Sequence, residues 1–217
     1  MGSAETMKLL GQSFIELSES SPLEKISVSD VVEASGKNRK TFYYHFEDKE
    51  ALIRWIFRRD LADILLDKAD ESQLVYEEEG PGAMPDLPYY LRRKTGVRSL
   101  DGSEFIEALG ECLQNRRSYY AKALRPSGPG SLQYYLYRLY TPALEEDVRF
   151  ILSNRHLADR NIRFLAEFYT GAFVTYLSGK TCDPSCEDIL ADVRPFQNIV
   201  HSSLESAIKE QQLKRAL

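Results

Sequence analysis

Apolar residues recur every three or four positions along most of this chain, which is the spacing of a helix that buries one face. The first such segment runs from residue 5 to about residue 18. Later segments follow at residues 48–68, 103–124, 132–153, 161–178 and 186–213. No segment shows the two-residue alternation of a half-buried strand bounded by turns. The pattern predicts an all-α protein of about nine helices, with Pro142 and Pro195 expected to bend or divide two of them.

The clearest interruption of this pattern lies at residues 77–88, which contain three prolines, two glycines and three glutamates. Prolines at this density remove backbone donors and prevent a regular helix. We therefore expect a loop there. It is either a plain surface connection or a lid over a ligand.

Two short helical patterns separated by a glycine stand out between residues 27 and 45. Three valines at helical spacing form the apolar face of the first, and Ser27 before them is a residue type that caps helix N-termini. Gly36 suits the left-handed backbone that ends many helices. A second helix then begins near Asn38. Two helices joined by so short a turn are the outline of a helix-turn-helix, which makes DNA the first candidate partner.

The second short helix carries the side chains that a DNA major groove requires. Basic residues near its N-terminus can bind guanine edges, and a threonine methyl suits the thymine methyl. Tyrosine hydroxyls, and a lysine at the start of the next helix, can bind phosphate. The candidate DNA-binding residues are Ser27, Lys37, Asn38, Arg39, Lys40, Thr41, Tyr43, Tyr44 and Lys49. The alternative is a small helical hairpin whose basic end is merely solvated.

The segment TFYYHFEDKEAL, from Thr41 to Leu52, resembles the signature of the tetracycline-repressor (TetR) family of bacterial regulators, as does ISVSDV before it. The resemblance covers about residues 7–60. It implies three parts, which are a helix-turn-helix domain over residues 1–50, a connecting helix over 48–68, and a helical effector-binding and dimerisation domain over 51–217.

Three residues of the motif depart from the usual family pattern. Asn38 stands where a serine is common, Lys40 where a glycine or small residue is common, and Lys37 where a valine is common. None of these changes is incompatible with the fold. The two added basic residues are expected to change which bases or phosphates are contacted, so the operator of a relative cannot be assumed.

The overall charge of the chain is acidic, with a net charge of −5 and a pI near 5.4. Residues 1–60 hold nine Lys and Arg against ten Asp and Glu, a net charge of −1. The positive charge is concentrated at residues 37–40. Because non-specific binding depends on phosphate neutralisation, we expect sequence-dependent binding through a small footprint and weak binding to random DNA.

The sequence predicts a cytoplasmic protein without a membrane span. No run of 18 apolar residues is present, and the N-terminus lacks a basic leader followed by an apolar block. Three cysteines in 217 residues are typical of a reducing compartment. The spacing of Cys182 and Cys186 leaves three alternatives, which are incidental thiols, a disulfide or half of a metal site.

The last two helical segments each carry an apolar stripe that a second copy of the chain could cover. Two-fold dimers of DNA-binding proteins read half-sites roughly 34–36 Å apart. The family resemblance implies such a homodimer, with these segments paired as a four-helix bundle. The candidate interface residues are Leu165, Tyr169, Ala172, Tyr176, Ile189, Val193, Phe196, Val200 and Leu204. The alternative is that the stripes bury against their own chain.

The C-terminal part also holds many tyrosines and phenylalanines at helical spacing. Aromatic walls with a few hydroxyls are typical of small-molecule pockets, although the same residues also suit a core or an interface. The candidate lining residues are Tyr119, Tyr137, Phe168 and Phe173. Arg116 is a candidate for holding an anionic ligand, or it faces water.

No catalytic or metal-binding motif accompanies these features. The three histidines, His45, His156 and His201, lack metal-ligand spacing, and the chain has no Gly-rich phosphate loop. We expect no catalysis, no metal and no cofactor. The sequence favours a ligand-responsive repressor that a small-molecule effector releases from a palindromic double-stranded DNA operator. The alternatives are an activator, or an interaction module of the same fold that does not bind DNA alone.

Overall fold

The computed structural model of the protein describes residues 2–213, apart from the side chains of Phe196, Gln212 and Leu213. Within that range the chain forms nine α-helices, which confirms the predicted all-α class. Their bounds are α1 Ser3–Ser20, α2 Val28–Ala34, α3 Arg39–His45, α4 Lys49–Lys68, α5 Ser103–Asn115, α6 Arg117–Ala123, α7 Leu132–Leu152, α8 Asp159–Cys182 and α9 Ile199–Leu213. Single 3-10 turns lie at Leu23–Lys25, Glu71–Gln73 and Arg194–Phe196.

Helices α1 to α3 form an N-terminal unit that we call the head. Its apolar centre contains Leu10, Phe14, Val31 and Phe42, each at most 1% exposed. Leu10 and Phe14 lie one turn apart on α1, Val31 lies on α2 and Phe42 lies on α3, so each helix buries its apolar face against the other two.

Helix α4 connects the head to the remaining helices, which we call the body. Asp48 caps its N-terminus, because the carboxylate accepts the Ala51 N–H at 2.6 Å. Near the head the Trp55 ring lies 5.8 Å from the Phe46 ring, and Gly11 of α1 leaves room for the indole. Farther along, α4 packs against α5 and α7. A change in the tilt of α4 would therefore move the head relative to the body.

The body is built around the long helices α7 and α8, which pack along each other. One apolar core runs from the head through α4 into α5, α7 and α8. A smaller core lies beneath α9, where Leu204 and Ile208 meet Val148 and Ile151 of α7. Helix α7 continues through Pro142 as one element.

Two predicted helices differ in the structure. The segment expected to be one helix over 103–124 is divided at Arg116, whose backbone leaves the helical region at φ −128°, ψ 42°. The last predicted helix begins at Ile199 rather than near residue 186, after turns and a 3-10 turn that contains Pro195. Both breaks coincide with side chains that bind other elements, so tertiary contacts outweigh local helix propensity there.

Four strands of two residues each, which the pattern did not predict, form two antiparallel pairs. Strand β1 (Leu74–Val75) pairs with β2 (Tyr90–Leu91), and β3 (Arg93–Lys94) pairs with β4 (Leu100–Asp101). The registers place Leu74 opposite Leu91, and Arg93 opposite Asp101. Strands this short leave no alternation to detect. Residues 77–88 form the irregular connection between β1 and β2, which confirms the predicted loop.

Candidate nucleic-acid interface

Helix α2 is fixed by a reciprocal cap at its N-terminus. The Ser27 hydroxyl accepts the Asp30 N–H at 3.3 Å, and the Asp30 carboxylate accepts the Ser27 N–H at 2.7 Å. The bonds from the backbone and hydroxyl of Ser27 lower the pKa of Asp30. At the other end Gly36 adopts φ 63°, and the Lys37 N–H donates to the Val32 carbonyl at 2.8 Å. The turn of the motif is therefore closed by local bonds.

Helix α3 begins at an asparagine cap, as predicted. The Asn38 side-chain oxygen accepts the Thr41 N–H at 2.9 Å and the Thr41 hydroxyl at 3.1 Å. Asn38 and Thr41 are thus held together at the first turn of the helix. This order places the N-terminal residues of α3 in a defined position before any ligand arrives.

The two faces of α3 are sharply different. Phe42 and Phe46 point inward, at 0% and 4% exposure, and anchor the helix on the core of the head. On the outer face Tyr43 is 50% exposed and Tyr44 is 81% exposed. Arg39 and Lys40 are also exposed, whereas Lys37 is half-buried. Large exposed aromatic side chains beside two free-standing basic residues form a surface suited to a groove with phosphate walls.

Lys49 differs from the other candidates. Its ammonium donates to the backbone carbonyls of Leu23 at 2.8 Å and Ile26 at 3.2 Å. The side chain therefore ties the start of α4 to the segment before α2. Two of its three donors are used inside the head, so the structure gives Lys49 a positioning role, and its expected phosphate contact stays a prediction.

The five candidate ligand residues do not share one cavity. Arg116 forms an ion pair with Asp60 of α4 at 3.2 Å, in a polar cleft beside α1. Tyr119 is 3% exposed and packs edge-on against Phe14. Tyr137 lines a polar cleft between α7 and α8. The predicted pocket is thus divided between the head–body junction, the core and the outer surface, because residues adjacent in sequence leave the helices on different sides.

The Asp60 carboxylate is the partner that keeps Arg116 paired within its own chain. Its carboxylate also accepts the Tyr120 hydroxyl at 2.7 Å. Burial raises the pKa of Asp60, while the Tyr120 bond and the Arg116 charge oppose that shift. Arg116 therefore compensates a partly buried carboxylate of its own chain and does not face water alone.

Phe168 and Phe173 line an apolar groove of about 450 Å³ between α8 and α9. The groove walls also contain five of the candidate interface residues, which are Tyr169, Ala172, Tyr176, Val193 and Val200. Phe164 and Phe168 beside it are 62% and 59% exposed. The groove is thus an exposed apolar surface rather than an enclosed pocket.

The other candidate interface residues fall into different environments. Ile189 and Leu204 are 1% and 0% exposed and belong to the cores of their own chain, so their assignment to a dimer face is corrected. Leu165 is half-buried against the smaller core. The side chain of Phe196 lies outside the described residues.

Comparison with known proteins matches both parts of the chain. A family model described as bacterial regulatory proteins of the tetR family matches residues 16–56, which include α2 and α3. A second model, described as a transcriptional regulator C-terminal region, matches residues 102–178, which include α5 to α7 and most of α8.

The chain belongs to the TetR family of transcriptional regulators. It is similar to the HTH-type dhaKLM operon transcriptional activator DhaS of Lactococcus lactis subsp. lactis (strain IL1403), with 37% identity over 65 residues. That match spans 30% of this chain and 35% of the relative, about a third of its length. A solved structure of a dihydroxyacetone kinase operon activator DhaS shares the fold, with a TM-score of 0.51 and 17% identity over 94% of this chain and 96% of that one.

Two buried charged residues of this TetR-family chain were not among the predicted site residues. Arg58 of α4 is 0% exposed, and so is Asp147 of α7. Both interrupt apolar stripes, since Arg58 lies between Trp55 and Leu61 at helical spacing. A charged residue on a buried helix face was the signal that could have identified them, because such groups are retained only with partners.

The described part of this regulator offers no other obvious chemistry. Across residues 2–213 no helix is both long and apolar enough to cross a membrane. Within the same range no three His, Cys, Asp or Glu side chains are grouped as metal ligands. Cys182 and Cys186 are free thiols that contact different carbonyls, those of Ala121 at 3.5 Å and Asp188 at 3.4 Å.

Proposed function

We propose that the protein is a dimeric, ligand-responsive regulator that places α3 in the major groove of a palindromic operator. The observation that carries this proposal is the orientation of α3, whose aromatic anchors are buried while Arg39, Lys40, Tyr43 and Tyr44 face outward. Residues at the N-terminus of a recognition helix contact base edges, and hydroxyls farther along contact phosphate. Arg39 and Lys40 therefore read bases, and the two tyrosines position the helix.

Selection of bound sequences from a random pool of double-stranded DNA, at near-physiological salt, tests this proposal. We expect an enriched palindrome whose half-site centres lie about one helical turn apart, roughly 34–36 Å. The acidic head should keep the affinity for unselected DNA low, since few phosphates are neutralised. Recovery of unrelated sequences only would contradict DNA recognition by the free protein and would favour an interaction module.

A homodimer is supported by the apolar groove between α8 and α9. The surface around it combines Phe164, Phe168, Tyr176 and Ile199, all at least 37% exposed. Apolar area of this kind is unfavourable in water, and a two-fold copy would cover it while pairing the two heads on DNA. The bundle would be formed by α8 and α9 from each copy.

Phe168→Glu is expected to convert the dimer into a monomer at micromolar concentration, because it places a charge at the centre of the apolar contact. Sedimentation velocity of the purified variants measures this. Val97→Glu is the matched control, since Val97 is 87% exposed and lies outside the groove. A wild-type monomer, or a Phe168→Glu dimer as stable as the control, would exclude this interface.

The sign of regulation has two candidates. Repression follows if the dimer occludes a promoter and an effector in the body shifts the population to a spacing that no longer fits DNA. Activation is favoured by one observation, the name of the Lactococcus relative as an activator. A cytoplasmic transcription reporter placed behind the selected operator distinguishes the two, because output rises on loss of a repressor and falls on loss of an activator.

A further inference from the structure

Arg58 forms a buried anchor between helix α4 and the loop of residues 76–89, which connects β1 to β2. Its guanidinium donates to the Glu77 carboxylate and to the carbonyls of Met84, at 3.3 Å, and Leu87. It also donates to the Tyr135 hydroxyl at 3.1 Å. Three of these four acceptors belong to the loop, so Arg58 holds the loop closed over α4.

Besides Arg58, the packing of Met84 and Leu87 against the main apolar core connects the loop to the body. Met84 N–H donates to the same Glu77 carboxylate at 3.0 Å, so that carboxylate also organises the loop itself. Of the remaining backbone bonds, those from Ala83 N–H to Gly80 and from Leu87 N–H to Met84 stay within the loop, and the bond from Tyr89 N–H to Val75 at 3.0 Å joins the end of the loop to β1. Removing Glu77 from Arg58 would therefore loosen the loop without breaking a helix.

Arg58 and the neighbouring side chains of Tyr89, Tyr135 and Tyr140 form a cluster that we call the chamber. The chamber contains hydrogen-bond donors that Glu77 does not satisfy. Arg58 Nε and the Tyr140 hydroxyl are buried and have no hydrogen-bond partner among the described residues. The Tyr140 ring stacks on the Tyr89 ring, with the ring centres 6.4 Å apart. Burial raises the pKa of Tyr140 well above its usual value, and the charge of Arg58 acts against that shift. The Tyr89 ring, 5.3 Å from the guanidinium, forms one wall. A buried donor without an acceptor is energetically unfavourable. Such donors therefore suit a bound ligand whose oxygen atoms can accept their hydrogen bonds.

We propose that this chamber is an oxyanion site that Glu77 occupies from within, and that a small free anion with several acceptor oxygens displaces Glu77. A phosphate monoester or a short hydroxy acid has this chemistry. One oxygen pair replaces the Glu77 carboxylate on Arg58, and the remaining oxygens accept from Arg58 Nε and the Tyr140 hydroxyl. The inference rests on the proposed function, because it names the effector class of the regulator.

Displacement of Glu77 would act on the helix that reaches the head. Arg58 lies one turn beyond Trp55 on α4, and Trp55 packs against Phe46 beside the recognition helix. Opening the loop removes three contacts from this part of α4. An anion that prefers the open form shifts the equilibrium between the two positions of α4 toward that form. The size of the shift is set by the difference between the affinities of the anion for the two forms.

The test is a titration of the full chain with inorganic phosphate and, separately, with lactate, at constant ionic strength set by sodium chloride. Trp55 is the single tryptophan, so its fluorescence reports on α4 directly. We expect Glu77→Gln to bind at least one of these anions about tenfold or more tighter than wild type, because the internal competitor has lost its charge. Glu79→Gln, an exposed residue of the same loop, is the matched control and should bind like wild type.

A second substitution locates the anion. Tyr140→Phe in the Glu77→Gln background removes one buried hydroxyl and should weaken anion binding about three- to tenfold. Equal affinities of the single and double variants would overturn the assignment of the site to this chamber. Equal affinities of Glu77→Gln and wild type, or no response to either anion, would overturn the competition itself.

Limited proteolysis keeps the proposal testable if Glu77→Gln does not fold by circular dichroism. Proteinase K should cleave wild-type chain within residues 76–89 faster in phosphate or lactate than in chloride, and an unchanged rate would overturn the proposal. None of these measurements contains DNA. If the DNA selection failed while the anions bound, only the proposal that the protein recognises DNA would be refuted. If the DNA selection succeeded while no anion bound, only the oxyanion site would be refuted.

Discussion

Arg39→Ala and Lys40→Ala are each expected to weaken binding to the selected operator by about 1–3 kcal/mol, the range for losing one base contact. Both side chains are exposed at the first turn of α3, and neither contributes to the core of the head. The substitutions should therefore leave thermal stability nearly unchanged. Fluorescence anisotropy with labelled operator and with a scrambled duplex, at fixed salt, measures the loss and its sequence dependence.

Two control variants distinguish the loss of a base contact from the loss of positive charge or of a phosphate contact. Lys8→Ala removes one exposed positive charge from α1 and should change operator affinity far less. Tyr43→Phe should weaken operator and scrambled DNA alike, because a phosphate contact carries no sequence information. If the double substitution of Arg39 and Lys40 left operator affinity at the wild-type value, α3 would not be the recognition helix.

Asp147→Asn is expected to lower the free energy of unfolding by about 3 kcal/mol, as for removal of one partner from a buried ion pair. The Asp147 carboxylate accepts from Arg92 Nε at 2.6 Å, the Tyr90 hydroxyl at 2.7 Å and His201 Nε2 at 2.8 Å. Arg92 lies between β2 and β3, Tyr90 lies in β2 and His201 lies in α9. Among the described residues, the substitution leaves Arg92 with the exposed Glu146 as its one acidic partner, at 3.0 Å.

Urea unfolding at one fixed protein concentration measures this loss, since a dimer links stability to concentration. Asp63→Asn is the matched control, because it removes a carboxylate from the exposed pair with Arg59, outside the α8–α9 groove, and should cost at most about 1 kcal/mol. Equal losses for the two variants would mean that the buried network adds nothing beyond a surface pair.

The pH dependence of this effect has a definite sign. Burial alone would raise the pKa of Asp147, but the bond from His201 and the charge of Arg92 lower it below its usual value. A carboxylate whose pKa is lowered by folding stabilises the protein above its unfolded pKa of about 3.9 and loses that contribution as pH falls through the folded value. The stability difference between wild type and Asp147→Asn should thus be full near neutral pH and shrink below about pH 4.

The helix-turn-helix could be predicted almost completely from the sequence. Its caps at Ser27 and Asn38 bond residues three positions away, and Gly36 acts on its own backbone. The inward direction of Phe42 follows from helical spacing alone. Local hydrogen bonds and periodicity are properties of short segments, so a single sequence is sufficient to recognise them.

The sequence predicted that the body consists of helices, but it did not predict which of their apolar faces form the groove and which lie in the core. The groove residues Phe168 and Tyr176 lie on the outer surface, whereas Ile189 and Leu204 on equally apolar stripes are buried. Periodicity identifies an apolar face without saying what covers it. Of the candidate ligand residues, Phe168 and Phe173 line the groove, as expected of some of them, but the five do not share one cavity. The reason is the same, because a tyrosine at helical spacing suits a core, a cleft or a surface equally well.

What the sequence by itself determined was therefore the fold class, the head and the outward face of its second short helix. Only the tertiary structure decided which distant groups the charged side chains bind. Lys49 donates to carbonyls more than twenty residues away, Arg58 donates to Glu77 of the loop, and Asp147 forms a hydrogen bond with His201, 54 residues later. The physical reason is that a buried charge is stable only where distant elements bring it partners. Those partners are a property of the packing of the helices and not of any one segment.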